Sequence, residues 1–229
     1  MISEIQKNKA FSVINVFETG HKTGGYGDVT ILKDGSYLRK DKKQCTYGRL
    51  QCTEEGNLKR LLTMYVQNKG EYAKYFESKL PIIGKVSLVS DKVFIATLKL
   101  SGDDPIMQKT QDEFFDIVYG AKAFEFFDKN GFTLPLSYLV IFDSIIHSGQ
   151  IRDDIRNMFK EVPPKQGGNE KTWVTEYVKA RRKWWLNHPH NPYKGIIGKG
   201  TYRMDCFLDA IQKDNWNLEI PINANGTIV

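Results

Sequence analysis

Apolar residues fall at helical spacing near the start of the chain: Ala10, Val13, Ile14 and Phe17 occupy i, i+3, i+4 and i+7. Ser3 is placed to cap that helix, and Gly20 sits where a helix commonly ends. The period then shortens. In YGDVTILKDGSYL, Val29 and Ile31 alternate with polar neighbours around Asp34-Gly35, which predicts a hairpin. Helical period returns in EGNLKRLLTMYVQNKGEYAKYF, with Leu58, Leu61, Leu62 and Tyr65 on one face. From Leu80 to Leu100 the pattern is mixed and β-rich, most clearly in KVFIATLKL.

Pro105 opens a long helical stretch through DEFFDIVYGAKAFEFFDKNGF, which Gly131 stops. The segment LPLSYLVIFDSIIHSG is apolar nearly all round and predicts a buried central helix. It contains one acid, Asp143, and acids are rarely buried unless paired. After the loop VPPKQGG, Asn169 is placed to cap a helix running through Trp173, Tyr177 and Trp184. A last short helix holds Arg203, Phe207 and Leu208. There is no internal repeat or low-complexity tract. The expected class is α+β, predominantly helical, with one small β element.

Composition narrows the function classes. At 229 residues the chain suits one domain, or a two-lobed one, with a sizeable core. No apolar run approaches the roughly 20 residues of a membrane helix. The start, MISEIQKNKAFSVINVF, shows no basic stretch followed by an apolar core, so no signal peptide is visible. Cys45, Cys52 and Cys206 cannot form a disulfide framework, and the Cys45/Cys52 spacing does not fit a zinc ribbon. His188 and His190 flank a proline and read as loop histidines, so no metal is expected. The net charge of +6 favours polyanionic partners, yet only KARRK (Lys179 to Lys183) is dense, and such a run reads as a solvated helix face.

The segments FDSIIHSG and PKQGGNEKTWVTEYVKARRKWWL resemble glycoside hydrolase family 46, the chitosanases of the lysozyme-like superfamily. VFETG, LKDGS, CTYGRLQ and CTEEGNL resemble, in the same order, that family's early helix end and the turns after it. The likeness runs from about Val13 to about Leu208 and rests on the order and spacing of its motifs. It implies a lysozyme-like two-lobed fold with a buried central helix, residues 1–229 forming one catalytic domain with a substrate cleft between the lobes. It further implies Glu18 as general acid, Asp34 as the base that activates water, and Thr46 as the residue holding that water. Asp143, Arg181 and Arg203 match a buried network supporting the acid. The implied reaction inverts the anomeric centre and uses no metal or organic cofactor.

Elementary chemistry is compatible with this. Inverting hydrolysis of a β-1,4 bond needs one protonated carboxyl and one ionised carboxylate about 6.5–9.5 Å apart, with water between. An acid in the last helical turn feels the negative end of the helix dipole, which disfavours its charge, and burial beside Phe17 acts the same way. An aspartate on an exposed turn stays ionised. Each residue also has a plain reading: Glu18 as a solvated helix-end acid, Asp34 as a hairpin residue. Trp184 and Trp185 read as core. Asp28 and Asp41 rival Asp34 as the base, because the loop from Gly35 to Thr46 is longer than the family's.

The substrate is expected to be an amino-sugar polysaccharide acted on by a monomer outside the cytoplasm, with neither nucleic acid nor a membrane as partner. Asn57 stands where the family has an aspartate that contacts cationic glucosamine, and a basic protein repels polycationic chitosan. Those two features tilt the expectation narrowly towards peptidoglycan, with endo-acting chitosan hydrolysis as the alternative. A non-catalytic glycan- or nucleic-acid-binding module is the third reading, and it lacks the aromatic and basic motif of single-strand binders.

Overall fold

The computed structural model describes residues 2–32, 43–188 and 200–229. Two compact units emerge, one of Met1–Thr23 with Val118–Val229, the other of Gly24–Ile117.

The first unit is built on helix α7 (Pro135–Ser148), whose residues from Pro135 to Ile145 are all buried. The all-round apolar pattern is thus the signature of a helix surrounded by others. Around it pack α1 (Glu4–Thr19), α6 (Ala121–Lys129), α9 (Glu170–Asn187) and α10 (Tyr202–Gln212). Each fully buried aliphatic or aromatic side chain on such a helix contributes about 1.5–3 kcal/mol.

The ends of α1 are set by local sequence. Ser3 Oγ accepts from Gln6 N while Gln6 Oε1 accepts from Ser3 N, a capping box. At the other end Gly20 adopts φ 80°, a left-handed conformation that glycine enters without steric cost, and it closes the helix just beyond Glu18. Helix α7 lacks a cap of its own, since Leu134 offers no side-chain oxygen. Glu170, in the first turn of α9, supplies one: it accepts from Thr133 N, Leu134 N, Thr133 Oγ1 and Ser137 Oγ at 2.7–3.0 Å.

Between α7 and α9 lie α8 (Asp153–Arg156) and a short 3₁₀ turn, Pro164–Gln166. A second β element, not foreseen from the pattern, closes the unit: β4 (Asn223–Ala224) pairs antiparallel with β5 (Thr227–Ile228).

The second unit carries a three-stranded antiparallel sheet in the order β1 (Val29–Leu32), β2 (Gln44–Tyr47), β3 (Cys52–Thr53). The expected turn at Asp34-Gly35 falls outside the described residues; the strand that pairs with β1 begins only at Gln44, with Leu32 opposite it. Helices α2 (Leu58–Gln67), α3 (Ala73–Lys79), α4 (Lys92–Ser101) and α5 (Pro105–Phe115) complete the unit. As the period predicts, α2 buries Leu58, Leu61, Leu62 and Tyr65.

The β-rich expectation for Leu80 to Leu100 is corrected, because KVFIATLKL lies in α4. Asp91 caps that helix by accepting from Phe94 N at 2.9 Å, and the buried residues Phe94, Leu98 and Ser101 recur at helical spacing. Tertiary burial of that stripe overrides the strand preference of Val93, Ile95 and Thr97.

Two buried acids tie this unit together. Glu54 accepts from Cys45 N and Leu88 N, both at 2.7 Å, joining the sheet to the segment before α4. Asp104 accepts from Tyr65 Oη, from Glu71 N at 2.9 Å and, as the cap of α5, from Ile106 N at 2.9 Å. Gly102 packs so closely on Gly27 that a Cβ there would lie 2.2 Å from the Gly27 Cα. In sequence the two units join within a π-helical turn, Asp116–Gly120.

Candidate active site

Glu18 sits in the last turn of α1, its side chain 24% exposed. Arg203, in the first turn of α10, donates from Nη2 to Glu18 Oε1 at 2.8 Å. Its other terminal nitrogen, Nη1, donates to Asp143 Oδ1 at 2.7 Å. Arg181, from α9, donates from Nη1 to the second oxygen, Asp143 Oδ2, at 2.6 Å. Both oxygens of a fully buried aspartate are therefore held by guanidinium groups, and one of those groups reaches on to Glu18.

The guanidinium of Arg203 is fixed from several directions. Its Nε donates to Tyr202 Oη at 3.1 Å, and Tyr202 Oη in turn donates to the Phe17 carbonyl at 3.2 Å. Its carbon lies 5.2 Å from the centre of the Phe17 ring and 5.6 Å from that of Tyr202, cation–π distances.

Burial alone would raise the proton affinity of Asp143 and lower that of Arg203. The charges outweigh it. Arg181 and Arg203 hold the Asp143 carboxyl below the usual range, and Asp143 with Glu18 holds Arg203 above its usual range. Asp143 and Arg203 both stay ionised near neutrality.

His147, one turn after Asp143 on α7, completes this neighbourhood. Burial first, then the positive charges of Arg181 and Arg203, push its imidazole down to about 4, with Asp143 opposing. It packs edge-on against Trp185, the ring centres 5.2 Å apart. The residues that sequence reasoning missed here are His147 and Tyr202. Spacing by four from Asp143 on one helix was the signal for the first.

KARRK is not a solvated face. Arg181 is buried at Asp143, and Arg182 Nε donates to Asp205 Oδ1 at 2.6 Å; Lys179 and Lys183 are exposed. Trp184 and Trp185 are likewise not core but only half-buried. Trp184 donates to Asp154 Oδ2 at 2.9 Å, with Arg152 4.7 Å and His188 4.1 Å from its ring centre. His190 lies outside the described residues.

The other expected residues belong to the second unit. Asp34 and its rival Asp41 lie outside the described residues. Asp28 is exposed at the entry to β1, its carbonyl accepting from Gly48 N at 2.8 Å. Thr46, on β2, is 2% exposed. Its hydroxyl shares a 2.5 Å hydrogen bond with Thr30 Oγ1 on the exposed edge of β1 and lies 3.1 Å from Gln51 Oε1. Asn57 precedes α2, half-buried, and its side chain does not cap that helix.

These features fall within a known family. Residues 12–222 match the model of glycosyl hydrolase family 46, and the chain belongs to that family; it is a glycoside hydrolase with a lysozyme-like fold. Among solved structures it is similar to the native chitosanase of Bacillus subtilis MY002, at 23% identity and TM-score 0.78, each chain covered in full. It is also similar to the family 46 chitosanase of Gynuella sunshinyii in complex with chitotetraose, at 21% identity and TM-score 0.77, covering 100% of this chain and 98% of that one. A mutant of the Bacillus subtilis enzyme complexed with 6 GlcN matches equally, at 22% identity and TM-score 0.78 over both whole chains. At these identities the structural likenesses establish the fold. A search of curated proteins gave no match.

Proposed function

We propose that the protein is a chitosanase, hydrolysing β-1,4 bonds within a glucosamine polymer with inversion, the two units together forming one catalytic domain. The observation that carries this reading is the family match across 12–222, joined to a helix-end glutamate held by a buried acid–arginine network. The earlier preference for peptidoglycan rested on the net charge and on Asn57, and nothing in the comparisons supports it. Net charge is a sum over the whole surface, whereas substrate approach depends on the field at the site.

In this reading Glu18 is the general acid. Arg203 has donors only, so Oε1 of Glu18 always accepts from it and the acidic proton resides on Oε2. As Oε2 gives that proton to the leaving glycosidic oxygen, the carboxylate charge develops against a guanidinium already in place, with no reorganisation. Asp143 and Arg181 keep that guanidinium oriented. Asp34 is the proposed base, with Asp28 and Asp41 as rivals. Thr46 is proposed to act on the attacking water through the exposed Thr30 hydroxyl that it bonds. Asn57 is the proposed substrate contact.

The test measures reducing-sugar release from chitosan and from purified peptidoglycan side by side, with the product anomer followed by NMR. Chitosan cleavage giving first the α-anomer is expected. Lysis of peptidoglycan without cleavage of chitosan would overturn the assignment.

A further inference from the structure

The network around Asp143 contains two groups with no hydrogen-bond partner among the described residues. Arg181 Nη2 is buried and has no hydrogen-bond acceptor among the described residues, although Nη1 of the same group holds Asp143. His147, on the same helix as Asp143, makes a ring contact with Trp185 and no hydrogen bond among the described residues. A buried donor left unmatched is costly, and proteins meet such a donor with an acceptor or an internal water.

Charge gives the pairing a direction. With Glu18 ionised, Asp143 and Glu18 balance Arg181 and Arg203. Once Glu18 carries the proton that a general acid needs, the cluster holds one excess positive charge. A protonated His147 would add a second and would also lose the lone pair that can face Arg181. Asp143 lies one turn before His147 on α7, and Arg181, which bonds Asp143 at 2.6 Å, lies one turn before Trp185, the ring that His147 meets at 5.2 Å; Arg203 reaches the same Asp143 from α10, and both arginines favour the uncharged ring.

We propose that His147 is a positioning residue of the acid: its uncharged imidazole accepts, through one water, from Arg181 Nη2 and keeps further positive charge away from Glu18. The inference rests on the reading of Glu18 as the acid. It goes beyond the Asp143, Arg181 and Arg203 network by adding a member whose protonation state matters.

The experiment measures pH–rate profiles on chitosan oligomers for His147→Leu, His147→Gln and His147→Lys, with Glu18→Gln as control and Tm measured for each. His147→Leu removes the acceptor and should lower kcat about tenfold with little change in KM. His147→Gln keeps an acceptor and should recover most of that loss. His147→Lys adds a permanent charge that favours the ionised form of Glu18, so the basic limb of kcat/KM should move to lower pH by about one unit. A basic limb unmoved in a folded His147→Lys, or His147→Gln as impaired as His147→Leu, would overturn the proposal. Should His147→Lys not fold, the Leu/Gln comparison decides alone. An active Glu18→Gln would overturn both this inference and the reading beneath it, whereas an inactive one with an unmoved limb would sink this inference only.

Discussion

Glu18 and Asp143 are linked through a single guanidinium, Arg203 reaching Oε1 of the first at 2.8 Å and Oδ1 of the second at 2.7 Å. Asp143 is fully buried and Glu18 is not, so the buried acid fixes the arginine while the accessible one is left to react. The division of labour follows from exposure. A fully buried carboxylate held through both oxygens by arginines is out of a substrate's reach, whereas a partly exposed carboxyl with Oε2 outside the ion pair is not.

Replacing Glu18 by glutamine keeps the shape and removes the transferable proton. Hydrolysis should fall by about 10²–10⁴-fold, the range for losing a general acid. The melting temperature should change by no more than a few degrees, since only a partly exposed ion pair is lost. A folded variant within a few-fold of the parent rate would remove Glu18 from the chemistry.

For Asp143 the expectation is structural first. Asp143→Ala leaves Arg181 and Arg203 buried together without their counter-charge, a loss of about 3–5 kcal/mol in denaturant unfolding. Asp143→Asn should lie between, because it keeps acceptor geometry on one oxygen. Equal stability of the alanine variant and the parent would contradict the pairing.

The pH dependence of stability should carry a component from His147. Its folded-state value, about 4, lies below the ordinary 6.5, so the unfolded chain binds the proton more readily. Stability from this group is therefore complete above about pH 6.5 and is lost as pH falls towards 4. The full effect is at most about 3 kcal/mol, from the usual 1.36 kcal/mol for each pH unit. Melting temperatures of parent and His147→Gln, followed from pH 7 to pH 4, should separate, the parent falling more steeply because only the parent has an imidazole that takes up a proton on unfolding. Parallel curves would show that the imidazole titrates normally.

Glu170 should matter to the fold and not to the chemistry. Its carboxylate stands in for the missing cap of α7, and Glu170→Ala leaves Thr133 N and Leu134 N without that acceptor. The cost should be about 1–2 kcal/mol, the upper range for a lost cap. The rate per folded molecule should hold. An unchanged unfolding midpoint would mean that water replaces the carboxylate without penalty.

The sequence by itself determined what depends on residues a few positions apart. Ser3, Gln6 and Gly20 delimit α1 because capping and left-handed φ are local matters. Leu58, Leu61, Leu62 and Tyr65 announce the buried face of α2, and LPLSYLVIF announces a helix wet on no side. The resemblance went further, placing Asp143, Arg181 and Arg203 together; nothing in their spacing does so, since Arg203 stands 60 residues from Asp143 and 185 from Glu18. What only the tertiary structure decided was which polar groups lose their water. It turned KVFIATLKL into a helix, because burial of Phe94, Leu98 and Ser101 outweighs strand propensity. It buried Arg181 yet left Lys179 and Lys183 of the same basic run exposed. It set His147 beside two arginines and brought Glu170 to the end of a helix that has no cap in its own sequence. Charge and hydrogen-bond partners are chosen by packing between distant segments, and a one-dimensional pattern records only the faces those segments will present.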